Sequence, residues 1–218
     1  MLNMFKHAKL SRYKIKKILF YFSMDLTATQ TAQIMKLNRK TINRYYKLFR
    51  ERLSRPQISG EPFSGEVELD ESYFGGKHHK GKRGRGSENK IPVFGILKRN
   101  GKVYTQIIPN STSNTLMDIV NSKVELDSVV YTDSFRAYNH LTINGYKHYR
   151  INHSKEFARG KNHINGIENF WSYCKMRLAK FNGLKREDFY LHLKESEFRF
   201  NNRYEDLYKM MLQAITQS

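Results

Sequence analysis

The spacing of apolar residues along this chain changes at residues 54–65, where a helical period gives way to the alternating period of strands. This stretch contains two of the four prolines, two glycines and little periodicity, which is typical of a linker between folded units. Since domains usually contain about 100 to 200 residues, a chain of 218 residues allows one large core and one small module. We therefore predict a small domain at 1–55, a linker at 56–65, a larger domain at 66–203 and a further helix at 204–218.

The chain is strongly basic: Lys and Arg number 39 against 20 Asp and Glu, a formal net charge of +19. Such an excess indicates a polyanionic partner, and nucleic acid is favoured over an anionic membrane. Residues 1–64 alone carry 14 Lys and Arg against 3 Asp and Glu. We therefore expect the small module to make the stronger electrostatic contact with that partner.

The single cysteine, Cys174, excludes a disulfide framework and a zinc cluster of thiolates. The longest apolar run near the start, 18–24, is too short to span a bilayer, and no small-residue cleavage site follows it. We therefore expect a cytoplasmic protein without a membrane partner.

Two helices joined by a short turn are predicted in the small module. Thr27 and Gln30 form a capping box for a helix near 28–35, and Asn38 can cap a second helix near 39–52. The second helix has one apolar face and is basic elsewhere, as in the recognition helix of a helix-turn-helix; a plain helical hairpin with a solvated charged face is the alternative. The predicted DNA contacts on this helix are Arg39, Lys40, Thr41, Asn43 and Arg44.

Beyond the linker, strand patterns come first and long helical patterns follow. An Asn-Gly turn at 99–102 joins two of the strands as a tight hairpin. The order matches an α/β fold of the ribonuclease H-like type, a mixed sheet flanked by helices with its active site at strand ends. The predicted strands are 67–70, 91–98, 103–109, 128–132 and 146–151; the predicted helices are 113–123, 165–180, 187–202 and 205–217.

Three acidic residues occupy positions from which their side chains can converge. Asp70 and Asp133 each end an apolar strand pattern, and Glu168 begins a helical one. Several carboxylate oxygens are needed to hold two divalent cations, and a phosphodiester substrate explains acids within a basic chain. A single Asp at a strand end is more often a cap or turn residue, so the prediction of a metal site depends on the set of three.

The helix that begins near Glu168 carries further candidates on the same side. Trp171 and Lys175 follow Glu168 at helical spacing, with Lys175 two turns and about 10 Å further along. We expect both to contact DNA while the carboxylate holds metal. An exposed helix with an ordinary charge pattern is the alternative.

A loop at 75–90 contains six Lys or Arg residues and five glycines. Glycines allow the backbone to approach phosphates, and the basic side chains neutralise them, so we predict a DNA-contacting loop; a merely solvated loop is the alternative. His78 and His79 are adjacent, lack cysteine partners and are assigned to DNA contact or solvent. The predicted contacts in this loop are Lys77, Lys80, Lys82, Arg83 and Arg85.

Three motifs together resemble one family of enzymes. They are Asp-Glu-Ser-Tyr-Phe-Gly-Gly at 70–76, Tyr-Thr-Asp-Ser-Phe-Arg-Ala-Tyr at 131–138 and His-Ile-Asn-Gly-Ile-Glu-Asn-Phe-Trp-Ser at 163–172. They closely resemble the ISXO-like DDE transposases of bacterial insertion sequences, over roughly residues 64–202. Members of that family often carry an amino-terminal zinc ribbon, whose cysteines are missing here.

The resemblance implies a function and a site. Asp70, Asp133 and Glu168 would be the catalytic, metal-binding acids for two Mg²⁺ or Mn²⁺ ions, and Lys175 would contact DNA. The expected activity is cleavage and joining of double-stranded DNA at the terminal inverted repeats of the element and at target DNA, by a nucleoid-associated homo-oligomer. A related nuclease or resolvase that cuts without joining and a non-catalytic DNA-binding regulator are the alternatives.

Overall fold

The computed structural model describes residues 9–55, 62–75, 90–141, 145–151, 163–181 and 183–216. The chain forms two compact units, each described by itself below. We call Met1–Gln57 with Leu184–Ser218 the terminal unit, and Ile58–Gly183 the central unit.

The terminal unit begins with three helices, α1 (Arg12–Ser23), α2 (Ala28–Met35) and α3 (Arg39–Leu53). The predicted capping box at Thr27 is present, and the side chain of Asn38 accepts a 2.8 Å hydrogen bond from the backbone N–H of Lys40. A three-residue turn joins α2 to α3, so this part of the helical prediction is confirmed.

Helix α1 was not predicted from the sequence, although its signal is present. Its buried residues Ile15, Ile18, Leu19 and Phe22 follow the helical spacing i, i+3, i+4 and i+7. Ser11 caps the helix, accepting a hydrogen bond from the backbone N–H of Lys14. The apolar run at 18–24, which is too short to span a bilayer, therefore contributes most of its residues to a packed helix.

The central unit contains five strands in the order β3-β2-β1-β4-β5. Strands β1, β2 and β3 pair antiparallel, whereas β4 pairs parallel to β1 and β5 parallel to β4. This mixed sheet with flanking helices confirms the predicted α/β fold of the ribonuclease H-like type. The strands are β1 (Glu66–Phe74), β2 (Ile91–Lys98), β3 (Val103–Ile107), β4 (Val129–Asp133) and β5 (Lys147–Ile151).

Strand β1 is longer than predicted, which changes the position of one acid. The sequence pattern predicts a strand ending at Asp70, but β1 continues to Phe74, and Asp70 lies in its middle opposite Gly95. The strand continues because residues 71–74 pair with β2 and because Ser72 and Phe74 are buried. Asp70 therefore lies inside a strand, with strand residues before and after it, and is not followed by a turn.

Helices cover both faces of the sheet. Helix α4 (Ser113–Lys123) contributes Leu116 and Val120 to a core that includes Val67 and Leu69 of β1. Helix α5 (Asn165–Ala179) lies against the other face, where a methyl group at Gly95 would be 2.5 Å from the indole of Trp171. Alternate residues of β1 thus face either an apolar core or helix α5.

The chain returns to the terminal unit with α6 (Phe189–Asn201) and α7 (Leu207–Thr216). Phe198, Met211 and Ile215 join the apolar core formed by α1 to α3. This division differs from the predicted domain at 66–203 and the separate helix at 204–218, because the apolar faces of α6 and α7 pack on the amino-terminal helices.

Buried ion pairs reinforce that packing. Arg50 of α3 donates to Glu195 of α6 at 2.7 Å, and Arg199 donates to the same carboxylate at 2.9 Å. Arg199 also donates to the backbone oxygens of Phe22 and Ser23 at the end of α1. Both ends of the chain therefore build one unit. None of the helices in the described ranges combines the length and apolar character needed to cross a membrane.

Candidate active site

Asp70 and Asp133 lie side by side on neighbouring parallel strands. Glu66 pairs with Val129 and Glu68 with Tyr131, so continuing this register by two residues brings Asp70 level with Asp133. Adjacent strands are about 4.8 Å apart, and side chains at one level share a face. Asp133 ends β4 as predicted, and its carboxylate accepts a 2.9 Å hydrogen bond from the backbone N–H of Phe135.

Glu168 approaches the same face of the sheet from helix α5. It lies in the first turn of that helix, as predicted, and its side chain is exposed. Its negative charge raises the pKa of Asp70, as that of Asp133 does, so both other acids lie within electrostatic reach of Asp70.

The environment of Asp70 strongly disfavours its ionised form. Burial, followed by the charge of Asp133, raises the pKa of Asp70 from 3.8 to about 7, and Glu168 adds to the effect. A hydrogen bond from the backbone N–H of Glu71 and the indole of Trp171 act in the opposite direction. Burial and two neighbouring carboxylates outweigh these donors, so Asp70 is about half-protonated near neutral pH.

The chemistry of this donor set fits a divalent cation. Carboxylate oxygens are the ligands that Mg²⁺ and Mn²⁺ prefer, and a cation would offset the repulsion that raises the pKa of Asp70. Within the described residues, no three Asp, Glu, His or Cys side chains form a group that could already hold a metal ion. Asp70, Asp133 and Glu168 therefore lie near one another without converging on one point.

Trp171 does not occupy the surface position expected of a DNA contact. Only 4% of it is exposed, because its ring covers Gly95 and packs edge-on against Phe74, with ring centroids 5.9 Å apart. Its indole N–H favours the ionised form of Asp70, although the contact falls short of full hydrogen-bond geometry. The ring therefore supports the acidic site from inside, and a contact between Trp171 and DNA stays a prediction.

Lys175 is exposed one turn beyond Trp171, with its ammonium 5.9 Å from the centroid of the Phe74 ring. It lies two turns from Glu168 along α5, as the helical spacing predicts. The structure thus leaves its charge available beside the acidic site.

One buried acid near this site was missed by the sequence analysis. Glu68 precedes Asp70 by two residues on the same face of β1, and it is 1% exposed. Its carboxylate contacts Arg99 and the backbone of Ile167. The alternation of β1 places Glu68 beside Asp70, but its partners are distant in the sequence.

The predicted DNA contacts on α3 are largely accessible. The apolar residues of this helix are buried, which confirms its predicted inner face, whereas Asn43 is exposed and Thr41 is half-buried. The exposed basic residues in its first two turns are Arg39, Lys40 and Arg44. The glycine-rich loop contacts, Lys77, Lys80, Lys82, Arg83 and Arg85, and the neighbouring His78 and His79, lie outside the described residues.

The strand order and the acids near its centre define a ribonuclease H-like protein with an acidic site between β1, β4 and α5. The model of the ISXO2-like transposase domain family matches residues 62–201. The chain therefore belongs to the ISXO2-like transposase family, and the resemblance inferred from its three motifs is confirmed.

Two relatives extend this similarity. An uncharacterized transposase-like protein of Haemophilus influenzae is 54% identical over 101 residues, which cover 46% of this chain and 82% of the relative. An uncharacterized protein in transposable element ISH50 of Halobacterium salinarum is 25% identical over 197 residues, 82% of this chain and 66% of the relative.

Solved structures show only distant similarity. The catalytic core domain of BIV integrase is 15% identical, with a TM-score of 0.44 over 69% of this chain and 95% of the integrase domain. The Mos1 transposase paired-end complex with the left transposon end has a TM-score of 0.33 at 13% identity, over 94% of this chain and 81% of the Mos1 chain. At such low scores the fold assignment depends on the strand order of this protein alone.

Proposed function

We propose that this protein is a DNA transposase that cleaves strands at the ends of an insertion sequence and joins them to target DNA. The observation that supports the proposal is the effect of Asp133 and Glu168 on the buried Asp70. A structural carboxylate is normally paired with a cation or with several donors. A buried acid whose charge is disfavoured by two neighbouring acids, in a chain with a net charge of +19, indicates a site built for metal ions and a polyanionic substrate.

In this proposal Asp70, Asp133 and Glu168 hold two divalent cations, Mg²⁺ or Mn²⁺. Ions held there would supply Lewis-acid chemistry, which would activate a water or a DNA 3′-hydroxyl for in-line attack and stabilise the leaving oxygen. The three carboxylates would offset the positive charge of the cations, and Asp70 would lose its proton when the cations bind. Lys175, exposed two turns from Glu168, contacts a phosphate of the DNA.

The terminal unit contributes recognition of the element ends. Helix α3 presents Arg39, Lys40, Asn43 and Arg44 to solvent while its apolar face is buried, which is the arrangement of the second helix of a helix-turn-helix. Its basic residues neutralise phosphates, and its polar residues contact base edges. We propose that two or more copies of the chain act together on paired ends.

The test is an assay with a labelled DNA fragment that carries the inverted repeat flanking the gene, together with target DNA and Mg²⁺. We expect cleaved ends and joined products from the wild-type protein. Asp70→Asn, Asp133→Asn and Glu168→Gln should reduce cleavage roughly 10²- to 10³-fold, the range for loss of one electrostatic contribution to a transition state. Binding to the same fragment, measured by gel shift, should change little.

Asn169→Ala is the matched control, because Asn169 is an exposed neighbour of Glu168 in the same turn. It should leave cleavage within about twofold of wild type, as expected for a surface substitution. Release of ends without any joined product would favour a nuclease. Equal loss of DNA binding in all three acid variants would assign the acids to folding instead.

A further inference from the structure

We propose that Glu68 is a positioning residue, which fixes the first turn of α5, and thereby Glu168, relative to Asp70. This inference rests on the proposed function of the acidic site. Glu68 and Asp70 belong to one strand and face the same side, two residues or about 7 Å apart. Glu68 is almost completely buried, so its carboxylate requires partners of its own.

Those partners connect β1 to the start of α5. One carboxylate oxygen of Glu68, Oε2, accepts a 2.9 Å hydrogen bond from the backbone N–H of Ile167, the residue immediately before Glu168. The N-cap residue Ile164 makes no side-chain capping bond. Since the first N–H groups of a helix need acceptors, Glu68 supplies from a neighbouring strand what a local cap would otherwise provide, and its charge suits the helix N-terminus.

The second oxygen of Glu68 is held by Arg99, which follows β2. Arg99 Nε donates to Glu68 Oε1 at 3.0 Å, and its Nη2 donates to the backbone oxygen of His163, just ahead of α5. The guanidinium also lies 3.6 Å from the centroid of the Tyr131 ring on β4. Arg99 therefore balances the buried charge and attaches the segment entering α5 to two strands of the sheet.

Gly166 permits this close approach. A methyl group at Gly166 would lie 2.8 Å from Glu68 Oε2 and 2.9 Å from a methyl group of Leu97. Both distances are far below van der Waals contact, so any larger residue would displace the Glu68 carboxylate and the Leu97 side chain, or the helix start itself. The first turn of α5 is thus seated directly on β1 and β2.

The geometry gives Glu68 a different role from that of its neighbour on the strand. Both of its carboxylate oxygens are bound by protein donors, whereas Asp70 faces two other acids. Because Glu68 holds the backbone beside Glu168, the separation of Glu168 from Asp70 is set by a rigid strand. Residues that orient metal ligands in this way typically change metal affinity about 10- to 100-fold when they are replaced.

Trp171 provides a direct readout, since it is the only tryptophan and its indole lies beside Asp70. We would titrate the full chain with Mn²⁺ and follow quenching of tryptophan fluorescence. In Glu68→Gln, which keeps the side-chain size, the Mn²⁺ concentration for half-maximal quenching should rise about 10- to 100-fold. Gly166→Ala, which places a methyl group against the Glu68 carboxylate and so disturbs its contact with the same turn, should act in the same direction.

Glu66→Gln is the matched control. Glu66 lies on the same strand and face as Glu68 and also contacts Arg99, but its other described hydrogen bond is to Tyr131 rather than to α5. It should leave the Mn²⁺ requirement unchanged. Thermal unfolding of each variant, recorded by circular dichroism, shows that the titration reports on folded protein.

The outcomes separate this inference from the proposed function. Wild-type quenching by Mn²⁺ that is unaltered in both Glu68→Gln and Gly166→Ala would overturn the positioning role while leaving the metal site intact. An equal rise in the Mn²⁺ concentration needed by Glu66→Gln would also overturn the positioning role. The effect would then follow from the loss of any negative charge on this face of β1. If Mn²⁺ does not quench the wild-type protein at all, both the metal site and the role of Glu68 are refuted.

Discussion

The terminal and central units each bury a carboxylate, but they surround it differently. Glu195 of the terminal unit is fully buried between two guanidinium groups, those of Arg50 and Arg199. Asp70 of the central unit has Asp133 and Glu168 as charged neighbours, and its pKa is raised to about 7. A buried acid between two arginines completes a fold, whereas a buried acid among acids is suited to a cation from outside the chain.

Glu68 sharpens this contrast because both arrangements occur on one strand. Its carboxylate is paired with Arg99 and a helix N–H, while Asp70, two residues later, meets other carboxylates. We interpret the first as support for the site and the second as the site itself. Substitutions at the two kinds of acid should therefore have opposite effects on stability.

The largest effect is expected at Glu195. Glu195→Ala would leave two buried guanidinium groups without their shared carboxylate, which should lower the free energy of unfolding by about 3 to 5 kcal/mol. Urea denaturation followed by circular dichroism measures this loss. Glu187→Ala is the control, since its ion pair with Lys185 is exposed and should contribute little. Equal effects of the two substitutions would contradict the structural role of Glu195.

Asp70→Asn should instead stabilise the protein when metal is absent. Because the folded-state pKa of Asp70 is raised from 3.8 to about 7, the folded state binds a proton that the unfolded state has released. Wild-type stability should therefore fall as the pH rises from about 4 to about 7, by up to about 4 kcal/mol at about 1.4 kcal/mol per pKa unit.

The asparagine variant lacks this ionisation, so its excess stability over wild type should grow through the same pH range. Chemical denaturation in EDTA at pH 4 and pH 8 measures the difference, and the pH 4 pair serves as the internal control. A constant difference between the two proteins at both pH values would argue against a strained Asp70 carboxylate.

A smaller effect is expected on DNA binding by the terminal unit. Arg44→Ala removes one exposed charge from α3. It should reduce by about 1 the magnitude of the slope of the logarithm of the DNA-binding constant against the logarithm of the salt concentration. Lys16→Ala removes the same charge from the exposed side of α1 and should change the slope less. Fluorescence anisotropy with a labelled inverted repeat provides both slopes. The same decrease in both variants would indicate binding by net charge without a defined recognition helix.

Elements with local signals were predictable from the sequence. The capping box at Thr27 and the cap at Asn38 define the starts of α2 and α3, and the Asn-Gly turn separates β2 from β3. Asp133 and Glu168 were placed correctly at a strand end and in a first helical turn. In each case the deciding contacts lie within a few residues.

Features that depend on distant partners were not predictable in this way. Glu68 and Ile167 are 99 positions apart, so alternation alone identified a polar strand face without indicating what covers it. The apolar alternation of residues 66–70 predicts a strand that ends at Asp70, although pairing with β2 extends the strand. Periodicity likewise predicted helices at 187–202 and 205–217 but not the helices that they contact.

The most direct test of the account is calorimetric titration of the full chain with Mg²⁺ at pH 7 in two buffers of different ionisation enthalpy. Since Asp70 is about half-protonated at that pH, binding should release roughly half a proton, and Asp70→Asn should bind much more weakly with no such release. Binding of Mg²⁺ to Asp70→Asn with the wild-type affinity and proton release would contradict the claim that the three acids form the metal site.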